Sequence, residues 1–200
     1  MEREEGGAIG KVIYDKSMSL DGFIAAANVR PEAGLGDDGE RLHTWAFEDE
    51  LGKELIEREI ARLGAVICGR RTYDLSIRYW GADGPTGPAR VPLFVPSHSV
   101  PDDVPQGGVY TFVDDIEPAL ARAREAAGDR NISVMGADVA RQLLRAGLVD
   151  EISVHLVPVL FGSGVRMFEG PVAEHVTLEL VDVAESPHAT HLRYRVVRDG

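Results

Sequence analysis

The stretch from Asn131 to Phe168, NISVMGADVARQLLRAGLVDEISVHLVPVLFGSGVRMF, constrains the fold of this chain more than any other. Ile132 to Met135 is a short apolar run rich in β-branched residues, the pattern of a buried strand. Gly136 follows at once. Asp138 then opens a helical pattern in which Val139, Leu143, Leu144 and Leu148 share one face, and Gly147 closes it. From Glu151 to Leu160 a second strand alternates Ile152, Val154 and Leu156 with Glu151, Ser153 and His155. The unit is strand, glycine turn, helix, strand. A glycine at that place lets another molecule approach the backbone, and the free N–H groups of the helix's first turn favour a phosphate or carboxylate. A plain tight turn explains the same residues equally well.

The pattern recurs earlier in the chain. Lys11 to Met18 reads as a first strand, followed by a polar turn in Ser19–Ala25. Residues 28–41 form a loop containing GLGDDG, which fits G-x-G-x-x-G in form only. No strand precedes it, no helix starts at its end, and Asp37 and Asp38 would repel a pyrophosphate. His43 to Phe47 is an aromatic cluster, either a core anchor or the wall of a pocket. Glu48 to Leu63 is an amphipathic helix with Leu51, Leu55, Ile56, Ile60 and Leu63 on its apolar face, and Gly64 is expected to stop it. Ala65 to Cys68 is a second buried strand running into Gly69-Arg70-Arg71-Thr72, where two guanidiniums and a hydroxyl stand at an expected helix start. Arginine forks suit phosphate oxygens, and a solvated turn is the plainer reading.

Further strands are expected at Val91–Val95, with Ser97 and His98 at its end, and at Val109–Val113, followed by a helix over Ile116–Ala127. Phe161–Gly164 reads as a flexible turn. Val176–Ala184 and Thr190–Arg198 make a terminal antiparallel hairpin. His188 and His191, with Glu185 nearby, form a weak metal pattern, and solvated hairpin histidines account for it better. Strands alternating with helices imply an α/β domain over residues 10–200, preceded by an acidic tail at 1–9. Its sheet is mostly parallel and covered on both faces, with antiparallel strands at the C-terminal end. In such sheets ligands sit at the carboxyl ends of the strands, which is where Asp21, Gly69, Ser97 and Gly136 fall.

Composition narrows the partners. The net charge is −12, with three lysines among 21 basic residues, so a broad acidic field disfavours nucleic acid and anionic membrane. It leaves room for one small phosphate ligand held by local arginines. No apolar run approaches the ~20 residues that span a bilayer, the first ten residues lack an apolar signal-peptide core, and the single Cys68 allows no internal disulfide. A cytoplasmic location is expected.

Taken in order, S-L-D-G-F-I-A at Ser19–Ala25, L-H-x-W at Leu42–Trp45, G-R-x-T-Y at Gly69–Tyr73, the turn at Met135–Ala137, and G-L-V-D-E-I followed by V-P-V-L-F-G-S-G at Gly147–Gly164 resemble the dihydrofolate reductase superfamily. Within it the chain resembles the branch that includes the C-terminal reductase domain of bifunctional riboflavin-biosynthesis deaminase–reductases and their stand-alone relatives, over roughly residues 10–198. The resemblance implies that fold, with three layers, and a dinucleotide across the sheet rim: NADPH, with NADH as the other candidate. On this reading Gly69, Arg70, Arg71 and Thr72 meet phosphates. Ser97 and His98 meet the adenosine ribose, Gly136, Ala137, Asp138 and Val139 form the turn over the pyrophosphate, and Ser19, Asp21 and Ile24 border the nicotinamide. Relatives commonly carry Gly-Gly at the turn. Here the second position is Ala137, whose methyl disfavours positive φ. No carboxylate of the helix at 48–63 matches the folate-binding acid of true dihydrofolate reductases.

The resulting expectation is an NAD(P)H-dependent reductase of a small heteroaromatic or carbonyl-type molecule, of the riboflavin-precursor or pterin-like class. Asp21 is its acid or orienting group, and Trp45, Phe47 and Tyr73 wall the substrate. The alternatives are a non-catalytic nucleotide-binding homodimer on the same fold and, with less behind it, a metal-dependent hydrolase. A homodimer is expected from the resemblance, and no resident metal.

Overall fold

The computed structural model describes residues 10–169 and 175–198; the expected acidic tail, 1–9, lies outside the described residues. In chain order the strands are β1 (Val12–Ser19), β2 (Phe23–Ala26), β3 (Leu63–Cys68), β4 (Leu93–Pro96), β5 (Tyr110–Val113), β6 (Asn131–Met135), β7 (Glu151–Val157), β8 (Gly164–Arg166), β9 (Leu178–Ser186) and β10 (Ala189–Val196). The helices are α1 (Thr44–Glu48), α2 (Glu50–Arg62), α3 (Arg70–Trp80), α4 (Ile116–Ala127) and α5 (Ala137–Arg145), with a 3-10 turn at Gly39–His43 before α1.

Eight strands form one sheet in the order β5-β4-β3-β6-β1-β7-β10-β9. The first six of these run parallel, and β10 and β9 reverse in turn. Period-two patterning explains the layers. In β3, Ala65 and Ile67 face a core built with Ala119, Leu120 and Ala123 of α4 and Val139, Ala140 and Leu143 of α5. Val66 and Cys68 face the opposite layer, with Tyr73 of α3 and Leu93 and Val95 of β4. Trp45 and Leu42 close a third cluster against Val157 and Ala189. The architecture is therefore a largely parallel sheet between two helical layers. Each fully buried Leu, Ile or Val contributes roughly 1.5–3 kcal/mol.

Local chemistry sets most element ends. Asp115 caps α4 by accepting from the Ile116 N–H at 2.7 Å. Gly147, at φ 67°, ends α5, with Gly147 N–H donating to Leu144 O and Leu148 N–H to Leu143 O, the paired bonds of a Schellman motif. The expectation for Gly64 needs correction. Helix α2 already ends at Arg62, and Gly64 lies inside β3, where a Cβ would stand 2.6 Å from the Ala127 Cα. It is glycine because strand and α4 touch there. Strand β7 stops at Val157 rather than Leu160 because Pro158 has no N–H to extend the ladder. Phe23–Ala26 is not only turn: it forms a small antiparallel ribbon with β8, in which Gly164 pairs with Ala26. The expected turn at Phe161–Gly164 thus ends inside a strand.

Candidate functional site

Because β1, β3, β4 and β6 are parallel, their carboxyl ends open on one edge. The turns after β3 and β6 stand back to back. The Gly69 N–H donates to Met135 O at 2.9 Å. Gly136 has φ 103°, and a Cβ on it would stand 2.8 Å from the Thr72 Oγ1 and 3.5 Å from the Gly69 N. Only glycine fits that cradle, on grounds of both backbone and space. Ala137 is the first residue of α5 and lies outside the positive-φ residues, so its methyl causes no strain. The conformational demand falls on Gly136 alone.

Arg70 joins this pair of turns to the end of β4. Its Nε donates to Asp74 Oδ1 at 2.8 Å, and its Nη1 donates to Ser97 Oγ at 3.0 Å and to the Ser99 carbonyl at 2.9 Å. Gly69, Arg70, Thr72, Ser97 and Gly136 therefore share one rim. Arg71 and His98 are exposed. Asp138 turns along α5 to accept from Arg141 and Gln142, while Val139 is buried against Gly69. The Gly34–Gly39 loop is stitched by Asp37, which accepts from Asn28 and Arg30.

The first-strand loop is equally fixed. Ser19, fully buried, donates to Asp21 Oδ1 at 2.6 Å and accepts from the Phe23 N–H. Asp21 also accepts from the N–H groups of Phe161 (3.2 Å) and Gly162 (2.7 Å). The Ser19 hydroxyl and these two amides hold its carboxyl below the usual carboxylate range against a smaller opposing effect of burial. The bonds of Asp21 thus tie the loop after β1 to the segment before β8 and favour the ionised form, which is the wrong state for a proton donor. Ile24 packs on the main core.

A cavity of about 250 Å³ lies between α2 and the sheet. Its helical side is Leu55, Ile56 and Ile60, which explains why the apolar face of α2 is only half buried. Its floor mixes Ile13, Val66 and Met135 with a set of polar groups: Asp15 of β1, Ser133 of β6, and Ser153 and His155 of β7. Trp45 lines it, stacked on His155 with ring centroids 4.0 Å apart and its indole N–H on Ser17 Oγ at 2.9 Å. Phe47 and Tyr73, expected beside Trp45, are not on this wall. Phe47 is 74% exposed. Tyr73 is fully buried between Tyr110 and Phe112, and its hydroxyl has no hydrogen-bond partner among the described residues.

The polar part of the floor carries a connected chain of titratable groups. His155 Nε2 lies 3.4 Å from Asp15 Oδ1. His155 Nδ1 lies 2.7 Å from His191 Nδ1, and His191 Nε2 lies 3.2 Å from Ser186 Oγ. Burial opposes ionisation of Asp15, but the charge and hydrogen bond of His155, with Ser153, outweigh it and lower the carboxyl to about 2. Burial, then the charges of Lys16 and His155, push His43 down to about 4; burial also pushes Lys16 down. His188 takes no part in this chain. It sits against the buried Asp49 at 2.6 Å, so the two hairpin histidines serve different partners. Of Asp15, His155, His191 and Ser186, only His191 is singled out by the sequence, and as part of a weak metal pattern with His188 rather than as a partner of His155. Asp15 and His155 look like the wet side of alternating strands, and Ser186 like part of the hairpin turn. The available signal was topological: polar residues on central strands of a sheet covered on both faces have no bulk water to meet.

The chain belongs to the RibD C-terminal domain family, whose profile matches residues 10–192. Solved structures share the fold. A candidate riboflavin biosynthesis protein from Shewanella sp. PV-4 is 20% identical, with a TM-score of 0.71 over 94% of this chain and 99% of that one. The diaminohydroxyphosphoribosylaminopyrimidine deaminase/5-amino-6-(5-phosphoribosylamino)uracil reductase of Thermotoga maritima is 16% identical, with a TM-score of 0.64 over 94% of this chain, which spans 57% of the Thermotoga protein. The riboflavin biosynthesis reductase Rib7 of Saccharomyces cerevisiae is 15% identical, with a TM-score of 0.56 over 98% and 93% of the two chains. No curated protein matches at a significant level. No helix among the described residues is long and apolar enough to cross a membrane.

Proposed function

We propose that this protein is an NADPH-dependent reductase of a small aminopyrimidine or related C=N or C=O compound. One observation carries the reading: on a chain of net charge −12, Arg70, Ser97 and the Gly69–Thr72–Gly136 cradle converge on one rim, and Met135, the residue before Gly136, lines a largely apolar cavity that holds a few polar groups. The cradle fits a pyrophosphate, because a side chain at Gly136 would fill it. Two helix N-termini open there, at Arg70 and Ala137, and their first-turn N–H groups are natural partners for phosphate oxygens. Arg71, Ser97 and His98 would meet a ribose phosphate. When bound, reduced nicotinamide supplies hydride. The chain's own residues hold the acceptor in the cavity under α2, and Trp45 shields it from water. Among solved relatives of the fold, the Thermotoga protein and the yeast protein carry reductase names, which supports the reaction class.

A homodimer belongs to the same proposal. Strand β9 is the sheet edge, and Leu178, Leu180, Val181 and Val183 are 40–54% exposed along it, a surface that a second copy would cover. Sedimentation at micromolar concentration tests this, and a monomer refutes it.

The function is tested by titrating NADPH while following nicotinamide fluorescence and thermal unfolding. Saturation at 100 times Kd stabilises by about 2.7 kcal/mol, or ~5–10 °C for a chain of this size. The acceptor to try first is 5-amino-6-(5-phosphoribosylamino)uracil, with cofactor oxidation as the readout. No thermal or fluorescence response at millimolar NADPH refutes the reading.

A further inference from the structure

We propose that Asp15 and His155 together hold the proton that the reduction consumes, with His191 and Ser186 as positioning residues that fix which nitrogen carries it. This rests on the reductase reading above.

Hydrogen-bond direction carries the argument. Ser186 has one proton to give. It donates to the Ala189 carbonyl at 3.2 Å, with the ionised Asp49 as the other acceptor nearby. Either way Ser186 meets His191 Nε2 with a lone pair, so that nitrogen bears a proton. The Nδ1 of neutral His191 is then an acceptor, and the facing Nδ1 of His155, 2.7 Å away, must donate. That leaves His155 Nε2 opposite Asp15. A lone pair facing a carboxylate is repulsive, so one proton lies between the two, giving an ion pair.

The surroundings agree with this state. Burial and the nearby His155 push His191 down to about 4, keeping it neutral, while Asp15 lies below the ordinary carboxylate range. The face of Trp45 stacked on His155 favours a cation. The other charged groups around the pair are Lys16 on β1, His43 before α1, Asp182 on β9, and Arg58 and Glu59 on α2. Arg193 on β10 is already held between Glu59 and Glu151.

The proton is also in the right place. Strand β1 pairs with β6 up to Tyr14 opposite Val134, so Asp15 lies level with Met135, the residue before Gly136. The Asp15 side chain is 35% exposed and lines the cavity, whereas that of His155 is 10% exposed. In the reaction, hydride from a reduced nicotinamide dinucleotide forms the new C–H bond as the C=N or C=O π bond breaks. The proton from the Asp15–His155 pair forms the N–H or O–H bond. The dinucleotide is oxidised, and the pair, one proton short, is recharged from solvent water.

The first test needs no cofactor. In 15N-histidine-labelled protein at pH 7, long-range 1H–15N spectra should show His191 neutral with its proton on Nε2, and His155 protonated on both nitrogens. D15N should turn His155 neutral, keeping the proton on Nδ1. With NADPH and 5-amino-6-(5-phosphoribosylamino)uracil, D15N should slow single-turnover reduction about 100-fold or more while NADPH affinity stays within about threefold. H191F should slow it about 10–100-fold and shift the acid limb of the pH profile, and H191N, whose amide oxygen can still accept from His155 Nδ1, should recover to within about fivefold. Spectra placing the His191 proton on Nδ1, or D15N reducing at the wild-type rate, overturn the proposal and leave the reductase reading standing. Wild type that binds no NADPH overturns that reading and, with it, this use of the proton.

Discussion

Replacing Gly136 by alanine isolates the cradle at the rim. At φ 103° and ψ 128°, a residue with a Cβ pays backbone strain of order 1–3 kcal/mol. The new methyl would stand 2.8 Å from the Thr72 Oγ1, forcing that side chain from its rotamer at roughly 0.5–1.5 kcal/mol. The sum, about 2–4 kcal/mol, corresponds to a fall in Tm of ~4–16 °C at this chain length. A double-mutant cycle separates the two contributions. In a T72A background the contact is gone and the strain remains, so G136A should cost about 1 kcal/mol less there than in wild type. Thermal unfolding followed by circular dichroism gives all four values. A loss under about 2 °C for G136A refutes the strain argument, and equal losses in both backgrounds refute the contact.

Three further outcomes are expected. W45F removes the indole N–H from the buried Ser17 Oγ and should destabilise by about 1–3 kcal/mol in urea unfolding; an unchanged midpoint would show that water replaces the bond. Asp49 raises the pKa of His188. The stability this pair adds over H188A is therefore fully present below the unfolded histidine value of about 6.5 and lost as pH rises through the raised folded value; a gap that grows with pH contradicts the pairing. Burial pushes the Cys68 thiol up to about 12, so native protein should resist an aromatic disulfide reagent at pH 8 and react only on unfolding, and rapid native labelling would refute that placement.

What could be read from the residues in order was whatever depends on near neighbours. Met135-Gly136-Ala137 and Cys68-Gly69-Arg70 each carry strand, turn and helix start within a few positions, and both turns lie where that pattern places them. Helix α4 follows its apolar spacing from Ile116 to Ala127 for the same reason. Ribbon β2–β8 was not legible, because Phe23 pairs with Arg166 across more than 140 residues and neither four-residue nor three-residue strand is patterned enough to announce itself. The chain from Asp15 through His155 to His191 was hidden similarly. Its members lie on three strands, and only the registers that set His191 opposite His155 and Asp15 opposite Ser153 bring them together. Tyr73 misled because aromatics in a motif beside a ligand loop suggest a wall, while its helix turns the ring inward among Tyr110 and Phe112.

The sheet order has a consequence for synthesis. Strand β1 is synthesised long before either of its neighbours, because β6 and β7 begin at or beyond residue 131. Until they emerge, the strand at the axis of the sheet has no edge to join, and loop closure of that length is slow. Such a nascent chain is a natural client for holding chaperones, and point changes that add exposed hydrophobicity to Val12–Tyr14 should lower yield well before they lower the stability of the finished protein.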